Sequence, residues 1–219
     1  MVFKKYQLSD QQMENIENSL SEEERTLSAE REKSFLAPEK ISYNEKSGTL
    51  LLSASRESAG VREIEPAAEQ NGFSEKSEFH ITVLGFRNAG EINKILKKLS
   101  SDEREKKISD IRSLIGRTDW RFVPESRTLH IAKEYKTPDP KNKGAELTEQ
   151  RESYIRLVYL PAMESFYAEL NSILGSDLLP QPAHITLFTN GTDQEKAKTG
   201  IGINTEEELA LLTQGEIKL

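Results

Sequence analysis

The chain contains no cysteine. Disulfides, thiolate nucleophiles and cysteine-bound zinc are therefore excluded, and the absence fits a reducing compartment. Basic charge is also short. The 219 residues carry 30 Lys and Arg against 37 Asp and Glu, a net charge of −7. Contacts from Lys and Arg to phosphates supply most non-specific nucleic-acid affinity, so a long duplex is not the expected partner. A small phosphorylated ligand or an RNA end fits better, and a local basic cleft is compatible with the overall balance. No run approaches the roughly 18 apolar residues of a membrane span. The opening MVFKKYQLSDQQ lacks the apolar region of a signal peptide. The expectation is a soluble, cytoplasmic protein with no membrane partner. Gly-rich phosphate loops and G-x-S-x-G nucleophile elbows are missing too. Histidine is scarce, at three residues.

What is present reads as strands alternating with helices. Residues 9–35 predict a charged helical stretch, with Ser9 and Gln12 at capping-box spacing and Pro38 ending it. Residues 1–38 are thus expected to be a helical extension, with a protein partner as one use for it. Residues 40–55 read as a hairpin, 56–77 as a loop or short helix, and 79–86 as a strand broken by Asn88-Ala89-Gly90. Ile92, Ile95, Leu96 and Leu99 mark an amphipathic helix, and residues 103–115 a second one stopped by Gly116. A second hairpin is expected over 118–135, turning at Pro124-Glu125-Ser126. Residues 136–148, rich in Pro, Lys and Gly, read as a linker or lobe boundary. Tyr154 to Leu160 predicts a strand, and Pro161 opens a helix with Met163, Phe166, Tyr167 and Leu170 on its apolar face. Residues 183–189 predict another strand, 201–203 a short one, and Thr205 with Glu208 caps a last helix. The count implies an α+β protein with largely antiparallel sheets.

Two of the three histidines sit in near-identical strands, FHITVLGF and AHITLFTN. Strand side chains alternate faces. His80 and Thr82 therefore point one way, and Ile81 and Val83 the other. His184 and Thr186 repeat the pattern against Ile185 and Leu187. Each motif presents an imidazole and a hydroxyl about 6.6 Å apart, at about 3.3 Å per residue. Two such strands around one cleft suit phosphodiester chemistry. A neutral His takes a proton from water or a ribose hydroxyl, and a charged His gives one to the leaving oxygen. The threonines hydrogen-bond the non-bridging oxygens. Imidazole supplies both forms near neutral pH. The rival reading is that these are half-buried strand histidines packed beside threonines.

The twin His-Ile-Thr-aliphatic motifs resemble the signature of the two-histidine (2H) phosphoesterase superfamily. The resemblance covers roughly residues 40–205 and carries over at His80, Thr82, His184 and Thr186. It implies a bilobal fold with a pseudo-two-fold relation: two largely antiparallel sheets with flanking helices around a central cleft, within one domain over 39–219. It also implies a metal-independent phosphodiesterase without a cofactor, acting on a cyclic or linear phosphodiester in a nucleotide, a cyclic oligonucleotide or an RNA end. Rival functions are RNA-end ligation, the reverse reaction, and a weakly catalytic nucleotide- or RNA-binding module. The N-terminal helical stretch lies outside the signature.

Other candidates rest on less. Tyr154 and Arg156, on one strand face, are candidate substrate contacts, Arg156 to a phosphate or base, with an ion-paired structural role as the rival reading of Arg156. Phe188 shares the face of His184 and Thr186 by period 2, as Phe86 shares that of His80. Either would stack on a base, with core packing the alternative. His130 has no Thr two positions on and reads as a structural or surface residue. No carboxylates stand at metal-ligand spacing near the motif histidines.

Overall fold

The computed structural model describes residues 34–138 and 146–217. The chain divides into units of residues 1–35 and 36–219, and the second holds the sheet and its helices. The helical extension expected over 1–38 lies almost wholly outside the described residues.

Among the described residues, eight strands and six helices follow one another: β1 (Lys40–Asn44), β2 (Thr49–Ala54), α1 (Val61–Gln70), β3 (Ser74–Glu75), β4 (Phe79–Leu84), α2 (Phe86–Leu96), α3 (Ser101–Arg117), β5 (Val123–Pro138), β6 (Glu146–Tyr159), α4 (Ala162–Leu174), β7 (His184–Gly191), α5 (Gln194–Ala197), α6 (Glu206–Leu212) and β8 (Thr213–Glu216). The expected α+β class with antiparallel pairing is present. The expected two sheets are not. All strands belong to one sheet in the order β1-β2-β4-β7-β6-β5-β8, and β3 pairs with β7. What joins its two halves is a single register pair between β4 and β7, Ile81 with Ile185.

Sequence periodicity located most elements, and tertiary contacts moved several boundaries. Asn88 does not break the strand but enters the first turn of α2, where its amide donates to the Tyr167 hydroxyl (2.7 Å) and the Leu179 carbonyl (2.9 Å). Gly116 does not stop α3, which runs on to Arg117. The hairpin expected over 118–135 is instead one long strand. Phe122 leaves it to bridge Leu36, and β5 pairs along its length with β6. The strands flanking residues 139–145 continue to Pro138 and Glu146, which pair with each other. The chain on both sides of the expected linker is therefore one hairpin. Ile201 and Ile203 form no strand; they are buried in extended chain.

Two apolar clusters cover opposite faces of the sheet. The larger contains Ile81, Val83, Ile185 and Leu187, with Val61 and Ile64 of α1, Ile111 and Leu114 of α3, and Phe166 and Leu170 of α4. Helix α3 is started by a capping box between Ser100 and Glu103. Helix α4 ends at Gly175, whose left-handed φ of 66° closes the helix without strain. The smaller cluster joins Leu129, Ile131 and Ile155 to Ile201, Ile203 and Leu209. It closes the other face over β5 and β6 and leaves that face open over β4, β2 and β1. Among the described residues no helix is long and apolar enough to cross a membrane.

Candidate active site

The pair joining the two halves of the sheet is the middle residue of each motif. One antiparallel step in either direction brings His80 to the level of Thr186 and Thr82 to the level of His184, with the middle pair alone in register contact. Ile81 and Ile185 are fully buried in the helix-side core. Alternation therefore turns all four polar side chains to the opposite face. Directly opposed residues have Cβ atoms about 4.5–5.5 Å apart, and diagonal ones about 7–8 Å. The two imidazoles thus occupy one diagonal of a small quadrilateral and the two hydroxyls the other.

A matching register defect comes after each motif. Thr82 pairs with Leu51, but Leu84 pairs with Leu50, so β4 carries Val83 as an extra residue. Thr186 pairs with Ile155, but Phe188 pairs with Tyr154, so β7 carries Leu187 as an extra residue. A bulge reverses the facing of the residues after it and bends the strand. Both displaced carbonyls find partners outside the ladder. The Tyr167 hydroxyl donates to Val83 O (2.8 Å), and the Lys76 N–H donates to Leu187 O (3.0 Å). Burial first of all pushes the Tyr167 hydroxyl up to about 12, so it stays a donor.

The histidines differ in setting. His184 is 8% exposed, and its Nδ1 lies 2.8 Å from the Pro182 carbonyl. A carbonyl only accepts, so Nδ1 carries the proton and Nε2 is the free ring nitrogen. Burial lowers the His184 pKa; the bond to Pro182 opposes this, and the charge of His80 adds to the lowering. His80 is half-buried. Its pKa is lowered by burial, then by Lys76, with Glu78 opposing. A cleft of about 740 Å³ borders His80 and extends over β1, β2 and residues 75–79. His184, Thr82 and Thr186 do not line it. Ser53 stands directly opposite His80 on β2.

The three substrate-contact candidates are not brought to this face. Arg156 pairs with Ile185, so it shares the helix side. It is 5% exposed, bonded to Glu63 of α1 at 2.7 Å and to the Thr128 hydroxyl at 3.3 Å. Phe188 would share the motif face if period 2 held, but the Leu187 bulge turns it into the core at 2% exposure. Tyr154 is its partner across the strands, and its ring stacks on Phe73 at 4.0 Å. All three are buried on the helix side. His130 is structural, within 2.7 Å of Glu152 and edge-on to Tyr154. Phe86 is on α2 and 85% exposed. Sequence reasoning missed Lys76 and the Pro182 carbonyl. The spacing of Pro182, two residues before the motif, was the only signal for the second, and Lys76 stood in a stretch without periodicity.

Among the described residues no three His, Asp or Glu converge as metal ligands. Comparison with protein-family models, with curated proteins and with solved structures gave no match.

Proposed function

We propose that the protein is a metal-independent phosphodiesterase of the two-histidine type, with His80, Thr82, His184 and Thr186 as one centre. The observation that carries this reading is the Ile81–Ile185 register pair. It converts two motifs 104 residues apart into one four-residue polar face. The repeated bulge after each Thr, and the meeting of two strand groups at one pair, support the pseudo-two-fold relation that the resemblance implies.

The chemistry derives from these groups. With a 2',3'-cyclic phosphate between the imidazoles, the neutral histidine removes a proton from water as its oxygen bonds to phosphorus. The bond to one ribose oxygen breaks, and the charged histidine protonates that oxygen. The threonine hydroxyls donate to the non-bridging oxygens, where charge grows. The lowered pKa of both rings keeps one neutral. The phosphate's negative charge favours protonation of the other. The orientation of the substrate sets which histidine is acid and which is base. Linear 2'-5' and 3'-5' linkages are cleaved by the same proton transfers.

The test is turnover with chelator present, on 2',3'-cyclic mononucleotides, 2'-5' and 3'-5' dinucleotides, cyclic oligonucleotides and RNA ending in a cyclic phosphate. We expect hydrolysis by the wild type. His80→Ala and His184→Ala should each lose about 10²- to 10⁴-fold, and the double mutant little more, because the two groups act as a unit. Joined RNA products would select the ligase reading. Ligand stabilisation without product, retained in the alanine variants, would select the binding module and sink this proposal.

A further inference from the structure

Strands β4 and β7 separate on the His80–Thr186 side of their single shared pair, and the chain preceding β4 fills the gap. Strand β3 pairs there with β7, Glu75 opposite Phe188, and the Lys76 N–H continues the register by donating to Leu187 O at 3.0 Å. Residues 76–78 must then cross from β7 to His80. Lys76 is the cation on that crossing. It lines the same cleft as His80 and is only half-buried. Its ammonium donates to the Lys198 carbonyl. Two residues further on, the chain passes Thr186: a Cβ on Gly200 would lie 3.7 Å from the Thr186 hydroxyl. Lys76 thus reaches from the His80 strand toward the Thr186 side, across one end of the polar face. An ammonium has three N–H donors, and Lys198 takes one.

The other cleft charges are otherwise engaged or set back. Arg56 is bonded to Glu65 at 2.6 Å and to Glu75 at 2.9 Å. Lys40 lies on β1, two strands from His80. Glu39 lies just before β1, and Glu78 comes after Lys76 on the crossing itself.

We propose that Lys76 is a third substrate-contacting group of this centre, placing its two free N–H donors on the non-bridging oxygens of the phosphate at the His80–Thr186 end. The proposal rests on the phosphoesterase reading for its substrate. It gives the pseudo-symmetric centre a direction, because it places a cation at the His80–Thr186 end. It also has a consequence for His80. The charged groups acting on that ring are Lys76 and Glu78 on the crossing and His184 on β7, while Glu39, Lys40, Arg56 and Glu75 line the same cleft farther off or ion-paired. Removing the nearest cation makes the His80 imidazolium easier to form.

The test uses the full chain as wild type, Lys76→Met and Lys76→Arg. Imidazole NMR signals are followed against pH and against added inorganic phosphate, and kcat/KM is measured on a 2',3'-cyclic nucleotide. In Lys76→Met the His80 titration should move to higher pH. Phosphate affinity and kcat/KM should each fall about 10- to 100-fold, the range of a hydrogen bond to a charged group. Lys76→Arg should restore most of both. An unchanged His80 titration together with unchanged phosphate affinity in Lys76→Met would overturn the proposal and leave Lys76 as a strap to Lys198. Wild-type imidazoles that ignore phosphate would overturn it too. Phosphate that perturbs both rings through Lys76, without turnover of any diester, would keep the contact and remove the phosphoesterase reading instead.

Discussion

Burial lowers the His184 pKa, and its proton inventory has a consequence for stability. Its folded-state pKa lies below the ordinary histidine value, so between the two values the unfolded chain binds more protons than the folded one. Stability therefore rises with pH in that window. On acidification it begins to fall near the ordinary value of about 6.5 and continues down to the lowered folded pKa. Urea denaturation at a series of pH values should show this slope, and His184→Gln should flatten it. An equal slope in the variant would assign the acid sensitivity elsewhere. Arg156 makes a different case at the same scale. It is bonded to Glu63 and Thr128 on the helix side, away from the motif face. Arg156→Met should therefore lower the denaturation midpoint and leave KM unchanged. A KM raised in the folded variant would return Arg156 to the substrate.

Helix α1 shows how an element depends on one backbone position. Gly60 precedes it with φ of 67°, and a Cβ there would collide with an Arg156 guanidinium nitrogen. Gly60→Ala combines left-handed strain with overpacking. It should cost about 2–4 kcal/mol, read as a shifted urea midpoint. The bulges are the second case. Tyr167 of α4 donates to the carbonyl of Val83, the extra residue just after Thr82, and accepts from Asn88. Tyr167→Phe leaves two buried polar groups short of a partner, at about 1–3 kcal/mol. Because the lost bond anchors the strand beside Thr82, kcat per folded molecule should fall as well. Unchanged kcat would show that the ladder alone holds the bulge. The bulges also mark where legibility stopped. The motif residues themselves obey period 2, and their facing is readable from the chain. The same rule extended two residues further put Phe188 on the wrong face, because an extra residue is visible only against the partner strand.

At the scale of the molecule, the proposed site is a seam. The two halves of the sheet meet at Ile81 and Ile185, so the pair that sets the polar face also closes the sheet. Ile185→Ala should destabilise by about 2–5 kcal/mol and lower kcat per folded molecule. Phe166→Leu, at a buried position away from the seam, should lower stability alone. Equal kcat in both folded variants would show that the four polar groups keep their places without the Ile81–Ile185 contact. Much of this architecture could be read in advance. Ile92, Leu96, Met163, Phe166 and Leu170 mark the helices, and the absence of long apolar runs and of a parallel βαβ rhythm indicates antiparallel α+β. The facing of His80, Thr82, His184 and Thr186 was equally local, since alternation is a property of one strand. Which strands pair was not. That choice depends on how Ile155, Ile201 and Leu209 share buried surface across long separations, and no periodic signal encodes it. Tertiary structure alone therefore decided that the two motif strands adjoin in one sheet, that Tyr154, Arg156 and Phe188 belong to the core, and that Lys76 crosses beside His80. The physical reason is that side-chain facing is set by the local backbone repeat, whereas register, bulges and strand order are set by partners distant in the chain.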